Sequence, residues 1–163
     1  MVMSTALTAG DVRALLTAVR DPEIPVLTIE DMGILRDVTF GDDDTISVTI
    51  TPTYSGCPAM EVIASDIVST LAEQDLPARV VTQLSPAWTT DWMSAEGREK
   101  LAAFGIAPPA RRASDPLHIL EEIRCPNCGS TDVRVISEFG STACKRMVVC
   151  QSCLEPFDHF KAI

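Results

Sequence analysis

The stretch TISVTITPTYSGCPAMEVIASDIVSTL, residues 45–71, changes its hydrophobic period halfway along. Up to Thr51, Ile46, Val48 and Ile50 alternate with polar residues, the period-two pattern of a strand with one buried face. From Pro58 onward, Ile63, Ile67 and Leu71 recur at helical spacing with Met60 and Val68 beside them, and Pro77 closes a helix read as Pro58–Asp75. Between strand and helix stands Cys57, at or one residue before the helix start, with Pro58 in the first-turn position that proline tolerates best. Unpaired backbone N–H groups and the helix dipole favour a thiolate there, so a lowered pKa is expected. Gly56 is read as letting the backbone approach closely, and Thr51, Thr53, Tyr54 and Ser55 bring hydroxyls nearby. The competing reading of Cys57 is a buried structural cysteine behind a proline-started helix.

Working outward, Ala78–Leu84 reads as a third strand, and Ile34–Phe40 pairs with Thr45–Thr51 as a hairpin through the GDDD turn. Thr8–Arg20 reads as a first helix, with Val12, Leu15, Leu16 and Val19 on one face, Thr8 and Asp11 as cap, and Asp21-Pro22 as stop. The order helix, hairpin, helix, strand predicts an α+β domain in which helices pack on a sheet of three or more strands. The link from the second strand to the third suits a right-handed crossover. DPEIPVLTIEDMG, residues 21–33, reads as an irregular acidic loop. Its Asp21, Glu23, Glu30 and Asp31 are either solvated or line the face that carries Cys57.

Beyond the third strand, Ser94–Phe104 reads as a short helix with Ser94 as cap and Gly105 just past its end. Trp88 and Trp92 either cover the edge of the core or form a docking surface. IAPPARRASDP, residues 106–116, has the composition of a linker. The expected division is therefore a domain over 1–105, a linker over 106–122 and a second module over 123–163.

That module contains Cys125-Pro-Asn-Cys128 and Cys150-Gln-Ser-Cys153, separated by 21 residues. Two residues between cysteines let a tight turn aim both sulfurs at one ion, and two such knuckles supply the four thiolates of a tetrahedral zinc site. The spacer reads as strand Val133–Ser137, a turn at Gly140 and strand Ala143–Val149, which together make a β zinc ribbon. A module of about 40 residues buries too little core to fold alone, so structural Zn²⁺ must supply much of its stability. An iron–sulfur cluster on the same thiolates and a pair of disulfides are the alternatives. His118 and His159 read as surface or packing histidines, with His159 as an alternative zinc ligand. Cys144 stands beside Lys145 and Arg146, whose charges favour its ionised form; it is a ribbon core residue, a spare ligand or a second functional thiol.

The 163 residues carry a formal net charge of −10. Residues 1–123 hold 8 Lys+Arg against 19 Asp+Glu, and residues 124–163 hold 5 against 4. Adding four thiolates and one Zn²⁺ takes the second part from +1 to about −1, so neither part suits non-specific binding to nucleic acid or anionic membranes. No run approaches the roughly 18 apolar residues of a membrane helix, and the N-terminal residues lack the pattern of a signal peptide. A cytoplasmic protein is expected, and in a reducing compartment six cysteines point to metal or redox chemistry rather than disulfides.

DPEIP (21–25), DMGI (31–34), TPTYSGCP (51–58), PAWTTDWM (86–93) and SEFGSTACK (137–145) together resemble the D-subunit family, also called J, of the phenylacetyl-CoA epoxidase (oxygenase) system. The first part alone is similar to the SufT-like family of small iron–sulfur assembly proteins. The resemblance implies an auxiliary role in phenylacetate catabolism. The chain would be an iron–sulfur or metallocentre maturation factor, not an enzyme, partnered by the other subunits and the iron–sulfur reductase. It implies that Cys57 is the functional thiol, with Asp21, Glu23, Asp31 and Thr53 in the motifs around it, holding iron or a cluster transiently with Cys144 or with a second copy in a homodimer. Members of that family often carry a cysteine where this chain has Ala162, so a cluster here would draw on Cys144 or on another subunit. The chain has no Gly-rich phosphate loop and no di-iron Glu-x-x-His pair, which sets it apart from redox and di-iron catalytic subunits. A structural docking subunit and a thiol enzyme using Cys57 remain the other readings.

Overall fold

A computed structural model describes residues 7–110 and 122–163. The chain divides into two compact units, Met1–Ala87 and Trp88–Ile163.

In the first unit, α1 (Ala9–Leu16) starts at a capping box. Thr8 Oγ1 accepts from the Asp11 N–H at 3.2 Å, and Asp11 Oδ2 accepts from the Thr8 N–H at 2.9 Å. The helix ends before Arg20, where the sequence pattern would carry it. Thr17, Ala18 and Val19 already donate to carbonyls three residues back, and Arg20 forms an antiparallel bridge to Thr28. Val19 is still buried, so helical spacing gives the burial correctly and the extent incorrectly.

Strands β1 (Leu35–Phe40) and β2 (Ile46–Ile50) pair antiparallel across the acidic turn, in which Asp44 takes a left-handed φ of 59°. The polypeptide then runs through the Cys57 loop into α2 (Ala59–Ala72) and returns as β3 (Ala78–Thr82), parallel to β2. The sheet order is β1-β2-β3, and Ile63, Ile67 and Leu71 of α2 are fully buried. The expected elements are all present, each trimmed by a residue or more.

Residues 21–34 do more than the composition of an acidic loop suggests. Ile24, Leu27, Ile29, Met32 and Ile34 are all fully buried, so this segment is part of the core. Its acids fix the turns that make this possible. Asp21 Oδ1 accepts from the N–H groups of Glu23 and Ile24 at 2.7 and 3.0 Å. Asp31 Oδ2 accepts from Thr28 N–H, while Thr28 Oγ1 accepts from Asp31 N–H, both at 3.0 Å. Glu30 is exposed and takes both of its oxygens to Arg13 at 3.0 Å.

In the second unit, a 3₁₀ turn (Thr90–Trp92) is followed by α3 (Ala95–Ala103). Ser94 Oγ caps this helix by accepting from Gly97 N–H at 2.8 Å, and Gly105 follows its end at φ +90°. Next comes β4 (Ile106–Ala107), then beyond residues 111–121 the strands β5 (Val133–Ser137), β6 (Lys145–Cys150) and β7 (Pro156–Phe160). The sheet order is β4-β7-β6-β5, with β4 parallel to β7 and the other pairs antiparallel.

Here the boundary read from composition needs correction. The division falls at Ala87/Trp88 rather than after residue 105, and the expected linker begins as a strand of the ribbon sheet. A two-residue strand followed by two prolines leaves no periodic trace, and β7 itself begins at a proline. The remainder of the 106–122 segment, His118 included, falls largely outside the described residues. Among the described residues no helix is long and apolar enough to cross a membrane.

Candidate functional site

Cys57 sits between β2 and α2, one residue earlier than the helix cap. Pro58 occupies the cap position itself and offers no side-chain hydrogen bond. The Cys57 N–H donates to Tyr54 O at 3.3 Å and its carbonyl accepts from Met60 N–H at 3.2 Å, so the thiol is carried on a tight turn. Gly56 stands at φ +86° with open space where a Cβ would be. Its role is thus conformational, and close backbone approach is not the reason for it.

The expected lowering of the Cys57 pKa is overturned. Burial pushes this half-buried thiol up from the usual cysteine range, and the carboxylates of Glu23 and Asp21 push in the same direction. The Ala59 N–H at the helix start and the Tyr54 side chain hydrogen-bond the sulfur and pull the other way, but they do not prevail. The helix start thus acts in the expected direction with too small an effect. Of the nearby hydroxyls, Tyr54 is the one that bonds the sulfur, while Thr51 and Thr53 are buried in the preceding segment. Asp21 and Glu23 do act on Cys57; Asp31 is engaged with Thr28.

The four C-terminal cysteines come together as their spacing requires. One sulfur from each of Cys125, Cys128, Cys150 and Cys153 lies within 4.8 Å of all the others. Cys125 and Cys153 are 3.7 Å apart, and Cys128 and Cys150 are 3.5 Å apart. A tetrahedral ion with bonds of about 2.3 Å sets its sulfurs roughly 3.8 Å apart, so the donor set fits one zinc-sized ion. Disulfides are not formed: all six cysteines are free.

The two knuckles are built alike. Gly129 N–H donates to Cys125 O at 2.8 Å and Leu154 N–H to Cys150 O at 3.0 Å, with Gly129 and Leu154 both at left-handed φ, 76° and 63°. Only the first knuckle carries the glycine that signals such a turn. Backbone N–H groups hold Cys150 and Cys153 below the usual thiol range, Cys150 at about 6, with Cys153 N–H donating to its sulfur at 3.5 Å. Although the Ser130 N–H favours its thiolate, Cys128 is pushed up to about 12 by the neighbouring cysteine sulfurs. Packed this closely, the four thiols need a cation before all can ionise.

Cys144 is not part of that group. It is buried, with its sulfur 2.9 Å from Thr142 Oγ1, and its carbonyl accepts from Lys161 N–H at 2.9 Å. Of the cations beside it in sequence, Lys145 is buried with its Nζ 3.7 Å from Asp158 Oδ2. Cys57 and Cys144 fall in different units. His159 is fully buried on β7 and is not one of the clustered ligands.

Residues 10–85 match the family of iron–sulfur cluster assembly proteins, and residues 112–161 match the zinc β-ribbon domain of the PaaD type. The crystal structure of a domain of unknown function (DUF59) from Bacillus anthracis aligns with a TM-score of 0.53 at 29% identity, covering 57% of this chain and 90% of that one. An Fe-S protein maturation auxiliary factor of Porphyromonas gingivalis is 34% identical over 96 residues, 58% of this chain and 90% of the relative. These similarities define the class: an iron–sulfur-assembly domain joined to a zinc ribbon. A protein of Escherichia coli, provisionally named as the D-subunit of 1,2-phenylacetyl-CoA epoxidase, is 49% identical over 154 residues, 94% of this chain and 92% of the relative. The chain belongs to the D-subunit family of phenylacetyl-CoA epoxidases.

Proposed function

We propose that this protein is a non-catalytic maturation factor of a phenylacetyl-CoA epoxidase system, presenting iron or an iron–sulfur cluster from Cys57 to a client subunit. The observation that carries the reading is the setting of Cys57: a half-buried thiol facing the carboxylates of Asp21 and Glu23, in a domain matched to iron–sulfur assembly proteins. Burial does most to hold the proton on this thiol and the two carboxylates add to it, while their charge also attracts a cation, so cargo binding exchanges a proton for iron. A single thiolate leaves most positions on the cargo open to ligands from the client, which suits delivery rather than storage.

The four cysteines of the second unit would hold a resident Zn²⁺, which supplies cross-linking and no redox chemistry. The ribbon's exposed Phe139, Leu154 and Ile136 support a docking role toward the other subunits, including the iron–sulfur reductase. Six free cysteines fit a reducing compartment, hence the cytoplasm. The raised pKa of Cys57 counts against a thiol enzyme, because a nucleophilic cysteine needs its thiolate near neutral pH.

The test is anaerobic reconstitution of the full chain with iron and sulfide, beside the Cys57→Ala variant, with metal analysis and absorption spectra of both. The expected result is loss of bound iron in the variant with zinc retained at one per chain. Undiminished iron in Cys57→Ala would overturn the assignment of the site.

A further inference from the structure

The second unit is longer than its ribbon. Residues 88–107 wrap onto the sheet by contacts that no ribbon signature includes. Trp88 is 3% exposed and its ring lies 6.1 Å from that of Phe160 on β7, at 57°. Thr90, fully buried, donates its N–H to Ile163 O at 3.1 Å, and its hydroxyl lies 3.4 Å from the same oxygen. Arg98 on α3 donates to Thr90 O and Pro109 O, both at 2.5 Å, tying the two ends of the segment together. β4 then adds to the sheet along β7, with Ile106 opposite Asp158 and Ala107 opposite His159.

The point of contact between this segment and the four-cysteine site is the core itself. Ala107, Ile123, Cys125, Val148, Cys150 and Phe157 form one buried cluster. Two of its members are metal ligands, one from each knuckle, and one is the last residue of β4. Without a cation, the knuckles lose the cross-link that fixes Cys125 and Cys150 in this core. The surface against which Ala107 packs then loses its shape.

We propose that the metal in the four-cysteine site holds the 88–107 segment in place, so that metal occupancy sets whether this segment is docked on the ribbon or released from it. The inference rests on the metal reading given above and extends it to residues outside the ribbon. Because 88–107 is also the covalent route from the first unit to the first knuckle, release would lengthen the tether between the units. Linkage requires the reverse effect as well: contacts made by the segment strengthen metal binding by the same factor.

The experiment is hydrogen exchange read by mass spectrometry on the full chain, zinc-loaded and stripped with a chelator, with metal content measured on both samples. The expected result is exchange faster by roughly 100-fold or more in peptides covering 88–107, together with those of the ribbon, while β2 and α2 in the first unit keep their protection. A chelator competition on Trp88→Ala adds the reciprocal arm, with zinc affinity expected to fall at least about fivefold. Zinc bound at one per chain with 88–107 equally protected in both samples would overturn the coupling alone. A chain that takes up no zinc would overturn the metal reading and the coupling with it.

Discussion

The first unit closes its core with branched aliphatic side chains from α1, α2, the sheet and the 21–34 segment, whereas a third of the ribbon's central cluster is cysteine. Each solution matches the material at hand. The first unit has two helices and a long buried loop to lay against three strands, enough to fold by burial. The second has a single helix, Ala95–Ala103, so on the proposed reading a metal cross-link at Cys125 and Cys150 stands in for missing apolar area. The same residue type thus sits in opposite settings: four cysteines cluster in one unit, while Cys57 stands half-buried and apart from them in the other.

This contrast can be broken by crossed substitutions. Cys150→Ser should weaken zinc binding roughly a hundredfold or more and abolish the cooperative unfolding of the second unit, leaving the first intact by hydrogen exchange. Ile67→Ala should destabilise the first unit by about 2–5 kcal/mol, seen as a lower urea midpoint, with zinc content unchanged. If Ile67→Ala released zinc, or Cys150→Ser melted α2, the units would not be energetically separate.

A smaller effect sharpens the contrast at the open thiol. The Glu23 carboxylate raises the Cys57 pKa, so Glu23→Gln should lower it and move the pH dependence of Cys57 alkylation to lower pH. At neutral pH the variant should react faster, by a factor within about ten. An unchanged or upward-shifted profile would show that the carboxylate does not act on the sulfur.

The strand-to-helix change around Cys57 and the two knuckles are legible because period and spacing are local properties of the chain. What stays hidden depends on partners distant in sequence. Asp21 and Asp31 differ: their hydrogen bonds reach only two or three residues, and it is the burial of Ile24, Leu27 and Ile29 against the rest of the unit that composition conceals. β4 is hidden because two residues carry no period and its partner, β7, lies about 50 residues away. The direction of the Cys57 shift escapes for the same reason: the helix start is visible in sequence, while burial and the approach of Glu23 are not.

The parallel pairing of β4 with β7 also bears on the order in which the chain assembles. Joining Ala107 directly to His159 closes a loop of about 50 residues, whereas after the knuckles have met only the stretch from Ala107 to Cys125 remains to be closed. On loop-closure entropy the second route is cheaper by about 0.9 kcal/mol. Loop-closure entropy thus favours docking the preceding segment onto a ribbon already closed, although that segment is made earlier in synthesis.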